Sequence, residues 1–165
     1  MGDLKSVKGI TLFHFTSYLH MMEIIRDGKI KLTNSNLLAP TNLRIENGKA
    51  LSDTDYYKPV VWLTSSYVPE RLGVSIIVPD EFKQTEEYKQ TNKKRIRFEI
   101  PATEDLQIYK WSQWATANNI DDKWRKVLTK NMNYNSWYVT EKEIPISAVS
   151  HIIDLEEETE IVGFC

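Results

Sequence analysis

The chain has 165 residues, with 41% hydrophobic and 27% charged side chains and a formal net charge of −2. That is the make-up of one globular domain spanning residues 1–165, large enough to bury a core, and it lacks the basic excess of a dedicated DNA-binding protein. The one cysteine, Cys165, excludes a disulfide framework and a CxxC zinc site, and no apolar run is long enough to span a bilayer. A cytoplasmic protein with no membrane partner is expected. Gly2 and Ser6 fit the M-G-x-x-x-[ST] myristoylation pattern, which is short enough to occur by chance.

The most informative stretch is LFHFTSYLHMMEIIRDGKIKL, Leu12 to Leu32. Leu12 and Phe13 begin a strand that would end at His14. Thr16 and Ser17 are N-cap residues, whose side-chain oxygens accept from a helix's first free N–H groups. Leu19, Met22 and Ile25, with Met21 and Ile24 beside them, recur at helical spacing. Gly28 supplies the positive φ of a helix stop, and Ile30 and Leu32 alternate with lysines as in a half-buried strand. His14 would then face a helix N-terminus, where unpaired N–H groups attract anions and hydroxyls. The plain structural reading is a cap and a partly buried histidine.

Residues 33–58 read as a long loop over one face of the domain. Pro59 to Thr64 is a buried strand ending in Ser65 and Ser66, Tyr67 to Arg71 a turn or short helix, and Val74 to Val78 a further strand. Asp80 to Asn92 is polar, either an exposed short helix or an excursion. Lys93, Lys94, Arg95 and Arg97 alternate with Ile96, Phe98 and Ile100, giving a strand basic on one side and apolar on the other. Trp111, Trp114 and Ala115 mark one helix, and Trp124, Val127 and Leu128 a second, capped by Asp121 or Asp122. The last strands are expected in Trp137 to Ile146, at Ile152–Ile153 and at Ile161–Val162, with Asp154 to Glu160 a solvated acidic loop. Strands and helices mix without regular βαβ alternation, which indicates α+β.

No GxSxG, HExxH, P-loop or GxGxxG motif is present, and His14, His20 and His151 offer no metal-ligand spacing. The basic strand could be a platform for a phosphate backbone or simply a solvated sheet face. The five tryptophans are many for this length, and one or two could line a cleft where a flat ring stacks.

Three blocks, LFHFTS…IIRDGKIKL, VVWLTSS and NSWYVTEKEIPISAV, stand in an order that resembles the ADP-ribosyltransferase fold. That fold is shared by poly-ADP-ribose polymerases, diphtheria-type toxins, DarT-like enzymes and RNA 2′-phosphotransferases. The resemblance implies two small packed β-sheets forming a split central cleft with a few short helices, and NAD as the substrate. It implies that His14 hydrogen-bonds a ribose, with Thr16 and Ser17 beside it. Trp62 takes the position of a nicotinamide-packing aromatic, with Thr64, Tyr67 and Trp137 also lining the nucleotide. Where the family has a catalytic Glu this chain has Ser136 or Trp137. The nearest acids are Glu141 and Glu143, which in a strand would share a face with Trp137. A macromolecular acceptor, protein or nucleic acid, would be met through Lys93–Arg97, in a setting such as bacterial or phage conflict. Two alternatives accompany this reading. One is a nucleotide- or partner-binding protein without turnover. The other is a phosphotransferase-like enzyme using arginines drawn from Arg26, Arg44, Arg71, Arg95 and Arg97.

Overall fold

The computed structural model describes residues 4–32, 45–46, 49–50, 59–68, 80–118 and 136–164. Its centre is a seven-stranded antiparallel sheet. The strands are β1 (Thr11–Thr16), β5 (Val61–Thr64), β6 (Ile96–Pro101), β7 (Ile108–Lys110), β8 (Trp137–Thr140), β10 (His151–Asp154) and β11 (Thr159–Ile161), in the spatial order β11-β10-β6-β1-β5-β8-β7. Two small ladders lie outside it, β2 (Lys29–Ile30) with β9 (Ile144–Pro145), and β3 (Ile45–Glu46) with β4 (Lys49–Ala50). The second falls inside the stretch expected to be loop. The described helices are α1 (Tyr18–Asp27), α2 (Asp80–Lys83), α3 (Glu86–Thr91) and α4 (Trp111–Ala117), with 3-10 turns at Glu104–Leu106 and Ile146–Ala148. The class is α+β. The expected strand Val74 to Val78 and the helix of Trp124, Val127 and Leu128 lie outside the described residues.

Strand alternation sorts the side chains onto two faces. One face carries Leu12, His14, Leu63, Ile96, Phe98, Ile100 and Ile152, and packs under Met21 and Ile24 of α1 together with Ile30 and Ile144. The other carries Trp62 and Val139, and packs against Trp111, Trp114 and Ala115 of α4, with Trp137 alongside. Buried strands and a stripe of apolar helix residues make each layer in the usual way.

The seam between β1 and β5 is narrow. β1 pairs with β6 along its whole length, Thr11↔Pro101 to Thr16↔Ile96, and β5 pairs with β8 from Val61↔Thr140 to Thr64↔Trp137. Between β1 and β5 the register is the single pair Phe13↔Thr64. The sheet is therefore two well-paired halves joined at one row, where two separate packed sheets were expected.

α1 follows the capping signals closely. Ser17 is extended (φ −80°, ψ 163°) and its hydroxyl accepts from the His20 N–H, while Gly28 sits at φ 77° and its N–H donates to the Ile24 carbonyl. The buried face differs from the expected one. Met21 and Ile24 are buried, whereas Leu19 and Met22 are 48% and 51% exposed. Both stripes are apolar, so periodicity alone allowed either to turn inward.

Two charge assignments also change on folding. Arg95 precedes β6, and its guanidinium is buried against Asp154, donating from Nε to Oδ1 at 3.0 Å and from Nη2 to Oδ2 at 2.9 Å. Its Nη1 donates to the Lys89 carbonyl at 2.8 Å, and its Cζ lies 4.6 Å from the centroid of the Tyr18 ring. Asp154 is thus a buried partner and no part of a solvated acidic loop. Arg97 is held by Glu99 and by the Tyr67 carbonyl. The two arginines of the expected basic platform are thus neutralised by carboxylates of the same sheet.

Candidate functional site at the central seam

His14 does not end its strand. It stands in the middle of β1, opposite Phe98 on β6, with its ring stacked at 6.0 Å and 10° on the phenylalanine. Its Nδ1 lies 2.8 Å from the carbonyl oxygen of Trp62, across the narrow seam. A carbonyl can only accept, so Nδ1 carries the proton and Nε2 keeps its lone pair. Loss of water around the ring pushes the imidazole pKa down to about 4, against a smaller upward pull from the Trp62 hydrogen bond and a further lowering by His20. At neutral pH the seam holds an uncharged imidazole of one tautomer, with Nε2 as an acceptor.

This makes a direct prediction for pH. Because burial depresses the folded-state pKa of His14, protonation favours the unfolded chain, and the stability contribution is complete above the unfolded value of 6.5. It falls away as the pH drops from there towards about 4. NMR titration of the His14 side chain should show a ring that stays neutral at pH 5.5. A His14 resonance titrating near 6.5 would contradict this geometry.

The structure brings some of the sequence candidates together and separates others. Thr16 is buried on the His14 face, next to Ser17, whose hydroxyl already caps α1. The Thr64 hydroxyl accepts from the Ser66 N–H. Tyr67 is 62% exposed, its ring 6.5 Å from that of Phe13.

Trp62 meets His14 only through its backbone. His14 shares a face with Leu63, so the Trp62 side chain points the other way, where its ring packs on Trp111 at 5.0 Å and edge-on to Trp137 at 5.8 Å. The indole and the imidazole therefore lie on opposite faces of the sheet, and the expected facing of the two rings across one hollow is not what this register produces. The same holds for Trp137. The indole N–H groups of Trp62, Trp114 and Trp137 are buried, with no hydrogen-bond partner among the described residues.

Glu141 and Glu143 are also away from His14. β8 stops at Thr140, so both acids fall in the exposed turn that follows, and Glu143 pairs with Lys29 at 2.9 Å beside the β2–β9 ladder. Had the strand continued, alternation would have set both on the Trp137 face, opposite the imidazole. Residue 136 is different. Ser136 accepts from the Ser65 N–H through its carbonyl at 2.9 Å and is the residue directly before β8.

Of the candidate arginines, Arg26 pairs with Asp27, Arg95 with Asp154 and Arg97 with Glu99, while Arg44 and Arg71 lie outside the described residues. Sequence reading missed one concavity altogether. A pocket of about 390 Å³ opens beside Tyr67, lined by Tyr88, Asn92 and Arg97. The signal for it was Thr85, whose hydroxyl accepts from the Tyr88 N–H and starts α3, but a polar tract hides such a helix. Among the described residues no helix is long and apolar enough to cross a membrane. No family model, no curated protein and no solved structure matches the chain.

Proposed function

We infer that this is a nucleotide-binding domain of ADP-ribosyltransferase-like architecture, which holds NAD or a related nucleotide at the β1–β5 seam without transferring ADP-ribose at an enzymatic rate. The observation that carries this reading is the His14 Nδ1–H donating to the Trp62 carbonyl. It fixes Nε2 as an acceptor on the sheet face that α1 covers, suited to a ribose hydroxyl. The placement of the acids supports binding over turnover. A carboxylate is what would stabilise the oxocarbenium-like state as nicotinamide leaves, and Glu141 and Glu143 are both remote from the imidazole.

The test is a calorimetric titration with NAD alongside a nicotinamide-release assay. Saturable heat without release is the expected result. His14→Asn is the informative variant, because an Asn amide keeps a donor near the Nδ1 position for the Trp62 carbonyl and removes the Nε2 acceptor. It should weaken NAD binding up to about tenfold, since a neutral hydrogen bond contributes ~0.5–1.5 kcal/mol. No heat with NAD, or an unchanged affinity in His14→Asn, would remove the proposal.

A further inference from the structure

The pocket beside Tyr67 lies apart from the His14 acceptor, and its chemistry points to a specific kind of ligand. After β5 the chain continues through Ser65 to Val68, with the Tyr67 ring against Phe13 on the sheet face away from α1. The Tyr67 carbonyl takes the Nη1–H of Arg97 at 3.0 Å. The pocket forms between this segment and the end of α3, with Tyr67, Tyr88, Asn92, Lys94, Arg97 and Glu156 around it, and the Glu156 carboxylate keeps a phosphate out of its interior. Its volume of about 390 Å³ suits one ring system with its substituents.

The state of Arg97 selects the ligand. Its Nε and Nη2 donate to Glu99 at 3.3 and 3.1 Å, and Nη1 to Tyr67. A phosphate would have to displace Glu99 to use those donors. Its Cζ lies 5.8 Å from the Phe13 ring centroid and 5.9 Å from that of Tyr67, so the guanidinium backs the tyrosine and the 62%-exposed Tyr67 ring is the stacking surface. A planar, π-rich ligand can stack on such a platform. Asn92, at the rim, has an amide able to read a polar ring edge. Lys93, exposed next to Asn92, is a cation for an adjoining phosphate.

We propose that this pocket binds a nucleobase–phosphate unit, the base stacked on the Tyr67 ring that Arg97 backs and the phosphate outside the pocket, towards Lys93. It goes beyond the seam reading, because none of these groups contacts His14 in that reading. The unit could belong to a single strand of nucleic acid or to a free nucleotide, and both sources share the stacking chemistry.

The test is anisotropy of short fluorescein-labelled oligo-dT and oligo-rA on the full chain, with AMP as competitor. Tyr67→Ala should weaken binding about tenfold or more, the scale of one lost base–aromatic stack, while Tyr67→Phe retains it. Lys93→Ala should lower the dependence of affinity on salt. Oligonucleotide bound far more tightly than AMP identifies a strand as the source, and equal affinity identifies the free nucleotide. The loss in oligonucleotide binding caused by Tyr67→Ala should be the same with and without His14→Asn, so that failure here and failure at the seam are read separately. Absence of binding to both probes, or equal affinity of Tyr67→Ala and the parent, overturns the proposal. So does a Tyr67→Ala loss that disappears in the His14→Asn background.

Discussion

Asp154→Asn is expected to cost about 3–5 kcal/mol of unfolding free energy, the scale for breaking a buried ion pair from one side. Total stabilities of single domains are about 5–15 kcal/mol, so this is a large fraction of the whole. Arg95 and Asp154 are 9% and 3% exposed. Asp154 also accepts from the backbone N–H groups of Glu156 and Glu157, which hold the turn between β10 and β11. With the carboxylate gone, a desolvated guanidinium keeps a neutral amide oxygen, the Lys89 carbonyl, the Tyr18 face and the weaker pull of the Glu156 and Glu157 charges. Replacing both partners by apolar residues of similar volume should restore much of the loss, because no stranded charge remains. Urea unfolding of the single and double variants measures the difference. A single variant within 1 kcal/mol of the parent, on the order of a surface substitution, would contradict the buried pairing.

The same pair gives a pH signature. Burial pushes the Asp154 carboxyl up, but the Arg95 hydrogen bonds and charge, with the Glu156 and Glu157 N–H groups, outweigh it and hold the group below the ordinary 3.8. A depressed folded-state pKa contributes stability above the unfolded value, and this is lost as pH falls through the folded one. The parent should therefore lose stability in that acid window, and Asp154→Asn should lack that part of the slope.

Ser136→Glu is expected to convert binding into turnover. If the seam holds NAD, a carboxylate at residue 136, directly before β8 and where the sequence resemblance has its Glu, can help a departing nicotinamide electrostatically. Such a group is commonly worth about 10²–10³ in rate. Nicotinamide release by Ser136→Glu should then exceed the parent's by at least a hundredfold, whereas Glu141→Gln and Glu143→Gln should leave the parent's release unchanged. Release from the parent that disappears in Glu141→Gln or Glu143→Gln would show instead that a remote acid reaches the site, and would reverse the assignment.

These expectations rest on features of unequal legibility. The start and stop of α1 were readable because caps are local: Ser17 bonds three residues ahead, and Gly28 needs only its own φ. The strand positions of Val61 to Thr64 and Ile96 to Ile100 were readable for a similar reason, since an apolar run or a two-residue alternation needs no partner to be recognised. The inward stripe of α1 was less so, because Met21, Met22, Ile24 and Ile25 leave two apolar faces to choose from.

By itself the sequence determined the α+β class, the capped helix after β1 and the presence of a histidine in the first strand, all of them consequences of short-range backbone preference and periodicity. Tertiary structure alone decided which face each side chain meets. A one-residue step in register moves a side chain across the sheet, and that step set the Trp62 ring opposite the His14 ring while joining the histidine to the tryptophan's carbonyl. It also brought Arg95 to Asp154 across 59 residues of chain, turning two residues that read as solvated charges into a buried pair. Charge pairing over that distance depends on where two strands meet, and no local pattern carries that information.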